Sequence, residues 1–186
     1  ALICPGLSLT LFHIGINPSR HAILKCLQNM GGDVSLHNTV NGIEPYADIH
    51  VQASTLRNMD IPVSDIPYLI DELPILSIAA MFAEGTMRVR GAEELRYKES
   101  DRIQKIEHIV TEFGGKIRTY KDGFDITGAV SPASPCIKTS FDHRIAMSAI
   151  IASIASKTPV EIDHSECIST SFPNFFDCLK PFTIKI

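Results

Sequence analysis

Cysteine is sparse and unpaired in this chain: five residues, at positions 4, 26, 136, 167 and 178, with no two at CxxC spacing. An odd, scattered set excludes a disulfide framework and a four-cysteine zinc site, and fits the reduced thiols of a cytosolic protein. The seven histidines are equally dispersed, with no HxxxH pair, so neither a structural metal nor a cofactor is expected. Excess positive charge is also missing. Seventeen Lys and Arg face twenty-one Asp and Glu, a net charge of −4, which argues against a general nucleic-acid binder and makes any anion site local. Long hydrophobic runs are absent too. The longest, residues 145–155, is interrupted by Ser148 and Ser153 and is too short to span a bilayer. No basic segment leads into an apolar run at the start, so a signal peptide is not expected. P-loop, dinucleotide and nucleophile-elbow motifs are lacking as well.

What is present is ordinary globular material: 186 residues, 45% hydrophobic and 20% charged. That is enough chain to bury a sizeable core as one domain, or as one large lobe of a bigger protein.

The apolar pattern alternates between helix and strand. Asn17-Pro18-Ser19 signals a helix start, and Ile23, Leu24, Leu27 and Met30 follow at helical spacing until Gly31-Gly32. Strands are expected at 33–37 and 47–51, and a loop or short strand at 60–70, where Pro62 and Pro67 intervene. A helix is expected at 72–83 with Pro74 in its first turn, then a strand at 86–90. Ser100 is a candidate cap for a helix with Ile103, Ile106, Ile109 and Val110 on its apolar face. Residues 116–126 read as a hairpin turning at Lys121-Asp122-Gly123. A Pro/Ser loop at 130–135, an apolar helix at 144–156, a strand at 160–162, a short helix at 172–179 and a last strand at 183–186 complete the pattern. The stretch at 26–34 is echoed at 109–117, each a helix, a Gly-Gly pair and a strand. A second echo pairs the apolar helix before Thr86 with the one before Thr158. Repeated α/β units of this length bury their helices against one another, which places sheets outside; the alternation alone also allows parallel βαβ units.

Three clusters could carry chemistry. Asp71 stands at a helix start, where it could be a cap or a general base at the mouth of a cleft. Residues 95–102 crowd Arg96, Lys98 and Arg102 with Glu99 and Asp101. This could be a solvated helix entrance with weak ion pairs. Cations at a helix N-terminus, however, oppose the helix dipole, and that placement points to an anionic ligand. Residues 140–147 repeat the design, with Asp142 as a possible cap, then His143 and Arg144. Two arginines at two helix starts suit a small molecule with more than one negative group.

Taken in order, these clusters resemble the EPSP synthase family (3-phosphoshikimate 1-carboxyvinyltransferases). The residues that carry the resemblance are DELPILSIAAMFAEG from Asp71, RGAEELRYKESDRI from Arg90, DHRIAM from Asp142 and SFPNF from Ser171, with INPSRHAILKCLQNMGGDV upstream. The pair KESDR and DHRIAM is the most specific part. The resemblance implies an α/β fold: an enolpyruvyl-transferase lobe of repeated βαβαββ units, with three helices packed inside and sheets outside. It implies that residues 1–186 are the single C-terminal lobe of a two-lobe cytoplasmic enzyme whose N-terminal lobe is absent. The implied reaction transfers the enolpyruvyl group of phosphoenolpyruvate to the 5-hydroxyl of shikimate 3-phosphate, by addition and then elimination of phosphate. It needs no cofactor, metal, nucleic acid or membrane.

By position in the motifs, Asp71 and Glu99 match the catalytic carboxylates. Lys98, Arg102 and Arg144, with Asp142 and His143, match the substrate-binding set. Thr170 stands where some members carry a lysine. A lobe alone is expected to have little or no activity. Two other readings stand beside this one: a non-catalytic phosphometabolite-binding module, and a lobe of a UDP-N-acetylglucosamine enolpyruvyl transferase.

Overall fold

The computed structural model describes residues 1–128, 130–131 and 134–182. The strand expected at 183–186 lies outside them, as does part of the 130–135 loop. Strands β1 (Ser8–Gly15), β2 (Asp33–Val40) and β3 (Tyr46–Gln52) form a first sheet in the order β1-β3-β2, with α1 (Ala22–Asn29) crossing between β1 and β2. Strands β4 (Thr86–Val89), β5 (Lys116–Tyr120) and β6 (Gly123–Thr127) form a second in the order β4-β6-β5, with α4 (Arg102–Glu112) crossing between β4 and β5. In both, the third strand lies in the middle, antiparallel to its neighbours. A shorter parallel pair, β7 (Cys136–Ile137) and β8 (Glu161–Ile162), is joined through α5 (His143–Ser156). Helices α2 (Ile66–Leu69), α3 (Leu73–Met81) and α6 (Phe175–Leu179) complete the set.

The two echoes are structural repeats. Gly31 and Gly114 each adopt a left-handed φ, +87° and +73°, after α1 and α4. In each case the next glycine's N–H reaches back to a helix carbonyl: Gly32 to Leu27 at 2.8 Å and Gly115 to Val110 at 2.7 Å. That is the same helix stop used twice. The second echo pairs α3 with α5. Helix α3 is buried nearly all round, and α3, α4 and α5 pack on one another. Small residues at Ala79, Ala80, Ala146, Ala149 and Ala152 allow that close approach. The inner row of the second sheet, Met87, Val89, Phe124 and Ile126, closes over α3 and is fully buried. Helix α3 thus lies inside, with α4 and α5 against it and the second sheet over it.

Backbone is packed as tightly as side chains where the second sheet meets α3. A Cβ on Gly128 would sit 1.7 Å from the Ala83 carbonyl oxygen. The expected result for Gly128→Ala is a loss of about 1–3 kcal/mol from this overpacking, read as a lower urea midpoint at unchanged m.

Several local expectations are corrected. The helix signalled by Asn17-Pro18 begins only at Ala22, because the Asn17 carboxamide oxygen instead takes the Ser19 N–H at 3.1 Å in a turn. Residues 63–69 form helical turns, not a strand, with Pro67 accommodated in a helix start. Strand β1 escaped the alternation because a bulge between Leu11 and Ile14 breaks the period. A matching bulge breaks β2. Both are pinned from β3 by buried Asp48, which accepts from the His13 N–H at 2.9 Å and the Asn38 amide at 2.8 Å.

The first sheet leaves Leu11, Phe12, Leu36, Val40 and the tip residue Ile43, 99% exposed, in solvent. Beneath it, an apolar cleft of about 270 Å³ opens between Leu2, Leu9, Ile23, Ile75 and Ile151. Among the described residues no helix is long and apolar enough to cross a membrane.

Candidate active site

The site gathers at two helix starts. Helix α4 begins at Arg102, and its cap is Asp101, whose carboxylate accepts the Gln104 N–H at 3.2 Å. Ser100, expected to cap it, points elsewhere: its hydroxyl donates to Asp142 at 2.9 Å. The correction has a tertiary cause: the Ser100 hydroxyl is taken by the buried Asp142 carboxylate, and Asp101, an equally good cap, serves one residue later. Helix α5 is capped by Asp142 as expected, through the Arg144 N–H at 3.0 Å and the Ile145 N–H at 3.4 Å.

Asp142 does more than cap. It is fully buried, and it accepts from the Arg102 Nε at 2.9 Å. Arg102, only 1% exposed, uses the rest of its fork on the Asp71 carboxylate at 3.1 Å and on Glu99 at 2.5 Å. One buried guanidinium thus ties together three carboxylates from three segments. Burial by itself pushes the Asp142 carboxyl up. The Arg102 hydrogen bond and charge outweigh it and hold the group below its ordinary value.

Asp71 is the open hub. Its side chain is 42% exposed, with Arg102 at 3.1 Å, Arg144 at 3.5 Å and the Lys98 ammonium at 3.7 Å. Arg144 also donates to the Asp71 carbonyl at 3.0 Å. The cap reading of Asp71 therefore gives way: α3 is capped at Glu72, with no side-chain bond, and the Asp71 carboxylate faces cations. Lys98 is held mainly by Glu94, at 2.5 Å. That hydrogen bond raises the ammonium pKa. Glu99 is half exposed at the rim. His143, first residue of α5, is half-buried, and its side chain makes no hydrogen bond or ion pair among the described residues.

An open cavity of about 230 Å³ adjoins the hub, lined by Asp71, Arg144, Met147, Pro74, Phe172 and Phe175. The SFPNF segment thus comes to the same side as the charges. Thr170 folds back on its own turn, its hydroxyl donating to the Cys167 carbonyl at 2.7 Å.

Two further residues belong to this neighbourhood and carry no expectation from the sequence: Glu94 and Glu72. Burial pushes the Glu72 carboxyl up, partly offset by Arg144. Only contiguity with the motifs could have flagged them. The loop before Asp142 is strained, with Ser140 and Phe141 both at left-handed φ, 55° and 63°. It is held by Thr139, whose N–H and hydroxyl both reach Asp163, and by the Phe141–His164 stack. Strain of this kind persists only where surroundings over-determine it. Chemically, three cations opposed by four carboxylates, Asp71, Glu94, Glu99 and Asp142, offer an anion a competitive site, and all but Asp142 are open to solvent.

The fold is that of an enolpyruvyl transferase. The enolpyruvyl transferase NikO of Streptomyces tendae matches at a TM-score of 0.69 over 95% of this chain, at 15% identity, a likeness of fold alone. The EPSP synthase of Acinetobacter baumannii matches at 0.92, with 38% identity over 97% of this chain and 43% of that one.

The chain belongs to the EPSP synthase family: the family model, EPSP synthase (3-phosphoshikimate 1-carboxyvinyltransferase), matches residues 1–179. Among curated relatives, the 3-phosphoshikimate 1-carboxyvinyltransferase of Syntrophomonas wolfei is 45% identical over 98% of this chain, and that of Geotalea daltonii 41% over 99%. The chain spans 43% of the length of each.

Proposed function

We propose that this chain is the C-terminal lobe of a two-lobe cytoplasmic EPSP synthase and supplies half of an active site completed by an N-terminal lobe. The complete site transfers the enolpyruvyl group of phosphoenolpyruvate to the 5-hydroxyl of shikimate 3-phosphate and releases phosphate. The observation that carries this reading is Asp71 held among Lys98, Arg102 and Arg144, which come from two other segments. An anion with a carboxylate and a phosphate can displace the carboxylates from these forks.

In the addition step, the hydroxyl oxygen bonds to C2 of phosphoenolpyruvate and loses its proton to a carboxylate. The methylene C3 gains a proton, giving a tetrahedral ketal. In the elimination step, C3 returns a proton and the C2–phosphate oxygen bond breaks. Asp71 serves the hydroxyl and Glu99 the methylene carbon. Buried Asp142 has no oxygen left for substrate; it positions Arg102 and Ser100. His143 lies at the edge of the binding set. A pure anion-binding module has no use for two exposed carboxylates beside its cations, which favours the enzyme reading. The cleft under the first sheet, apolar throughout, suits contact with the remaining polypeptide of the whole enzyme.

The test is phosphate release from the two substrates by this chain alone, and by the chain mixed with a separately produced N-terminal lobe of a relative. The expected result is turnover only in the mixture. Silence in the mixture, together with no calorimetric binding of phosphoenolpyruvate, would overturn the assignment.

A further inference from the structure

Lys98 and Glu99 lie on residues 91–101, the link between β4 and α4, just past its short 3-10 turn Glu93–Tyr97, and something must hold that link still. The fixings are concentrated at one place, the β5–β6 hairpin turn. Near its start, the Ala92 N–H donates to the Asp122 carbonyl at 2.7 Å and the Gly91 N–H to the Asp122 carboxylate at 2.9 Å. In its middle, the Arg96 guanidinium grips the same turn, through Nε to the Lys121 carbonyl at 2.7 Å and Nη2 to the Tyr120 carbonyl at 2.6 Å. Its remaining nitrogen, Nη1, reaches Asp101 at 2.7 Å, the residue whose other oxygen caps α4. Leu95, fully buried beside it, anchors the same point.

We propose that Arg96 is a positioning residue for the site, a role that rests on the functional reading above. Its three bonds fix residue 96 to a rigid hairpin and, through Asp101, to the start of α4. Only 97–100 remain between those two anchors. Lys98 and Glu99 are therefore displayed on a short bridge with both ends fixed, next to Arg102 as first residue of the capped helix. Side-chain placement of this accuracy requires support from such a surrounding layer. Arg96 itself touches no exposed face of the charge hub: its fork is directed at two carbonyls and one carboxylate. An ammonium cannot reproduce this, because a point charge has no planar fork to bridge three acceptors.

The test uses this chain and phosphoenolpyruvate, read by NMR at the Arg102 Nε and Lys98 Nζ signals, with thermal melting in parallel. In the unaltered chain the ligand shifts both signals. Arg96→Gln is expected to weaken binding about tenfold and to alter the ligand-free Lys98 and Arg102 signals, with Arg96→Lys intermediate. Arg57→Gln, on an exposed pair remote from the site, stays like the unaltered chain. If Arg96→Gln does not fold, Asp101→Asn serves in its place. It keeps a capping oxygen but drops the charge partner, and is expected to weaken binding in the same sense. A folded Arg96→Gln with unchanged affinity and unchanged signals would overturn the positioning role. A melting change without any change in affinity would do the same. Where the ligand shifts the signals only in the mixture with the N-terminal lobe, the variants are compared in that mixture; no shift of either signal in the unaltered chain, alone or in the mixture, would instead overturn the functional reading itself.

Discussion

Glu99→Gln lowers the rate of phosphate release by the reconstituted two-lobe mixture by about 10²–10⁴-fold, the usual size of a lost general acid–base group. The amide is close in shape, and its oxygen can still accept from Arg102, so the cage stays assembled. What it cannot do is deliver and recover a proton at the methylene carbon. Binding should move the other way. The hub opposes Lys98, Arg102 and Arg144 with Asp71, Glu94, Glu99 and Asp142. Neutralising one carboxylate removes a competitor for the cations, so KM for phosphoenolpyruvate falls or holds while kcat collapses. Asp71→Asn follows the same pattern, with the larger gain in anion affinity because three cations face that one carboxylate. Steady-state kcat and KM for both variants check this. A Glu99→Gln mixture with the parent rate would remove Glu99 from the chemistry.

Asp142→Ala costs about 3–5 kcal/mol of folding stability, because it removes the one fully buried carboxylate of the three that pair with the buried guanidinium of Arg102. Arg102 and Asp142 are 1% and 0% exposed, so water cannot compensate. The same substitution unties Ser100 and the first turn of α5. Replacing both partners by apolar residues of matching volume, Arg102→Met with Asp142→Leu, is expected to recover most of the stability and none of the anion binding. Urea unfolding and calorimetry separate the two effects.

The pH dependence follows from the same pair. The folded Asp142 carboxyl is held below its ordinary value, so its contribution is complete above the unfolded value of about 3.9. It is lost as pH falls through the lower folded value. An acid limb in the urea midpoint below about pH 4, flattened in Asp142→Asn, is the expected signature. An identical limb in the variant would assign it to other carboxylates.

Much of this architecture was legible in the residues, for reasons that differ by element. The helix-Gly-Gly-strand echo was readable because a left-handed helix stop demands glycine at Gly31 and Gly114. The hairpin at Lys121-Asp122 was readable from its turn chemistry. Strand β1 was not, since its bulge breaks a period-two pattern at Phe12-His13, and the residue that stabilises it, Asp48, lies over thirty positions away. At the site, helix starts and cations were visible. Which carboxylate capped which helix was decided by tertiary contacts: Ser100 is drawn to Asp142 across 42 positions of sequence, and Asp71 to Arg144 across 73. Arg96, Glu94 and Glu72 carry ordinary surface residue types, and only the folded chain tells where they point.

Those separations bear on how the molecule reaches its native state. The hairpins of the two larger sheets join neighbours along the chain and can close early. The charge hub draws Asp71, residues 98–102 and residues 142–144 from a span of more than seventy positions, and closing loops of that length is slow. Its ion pairs should therefore be absent from the folding transition state. Removing Asp142 would then speed unfolding and barely change refolding, so that the constellation proposed to bind substrate also sets how long the folded lobe persists.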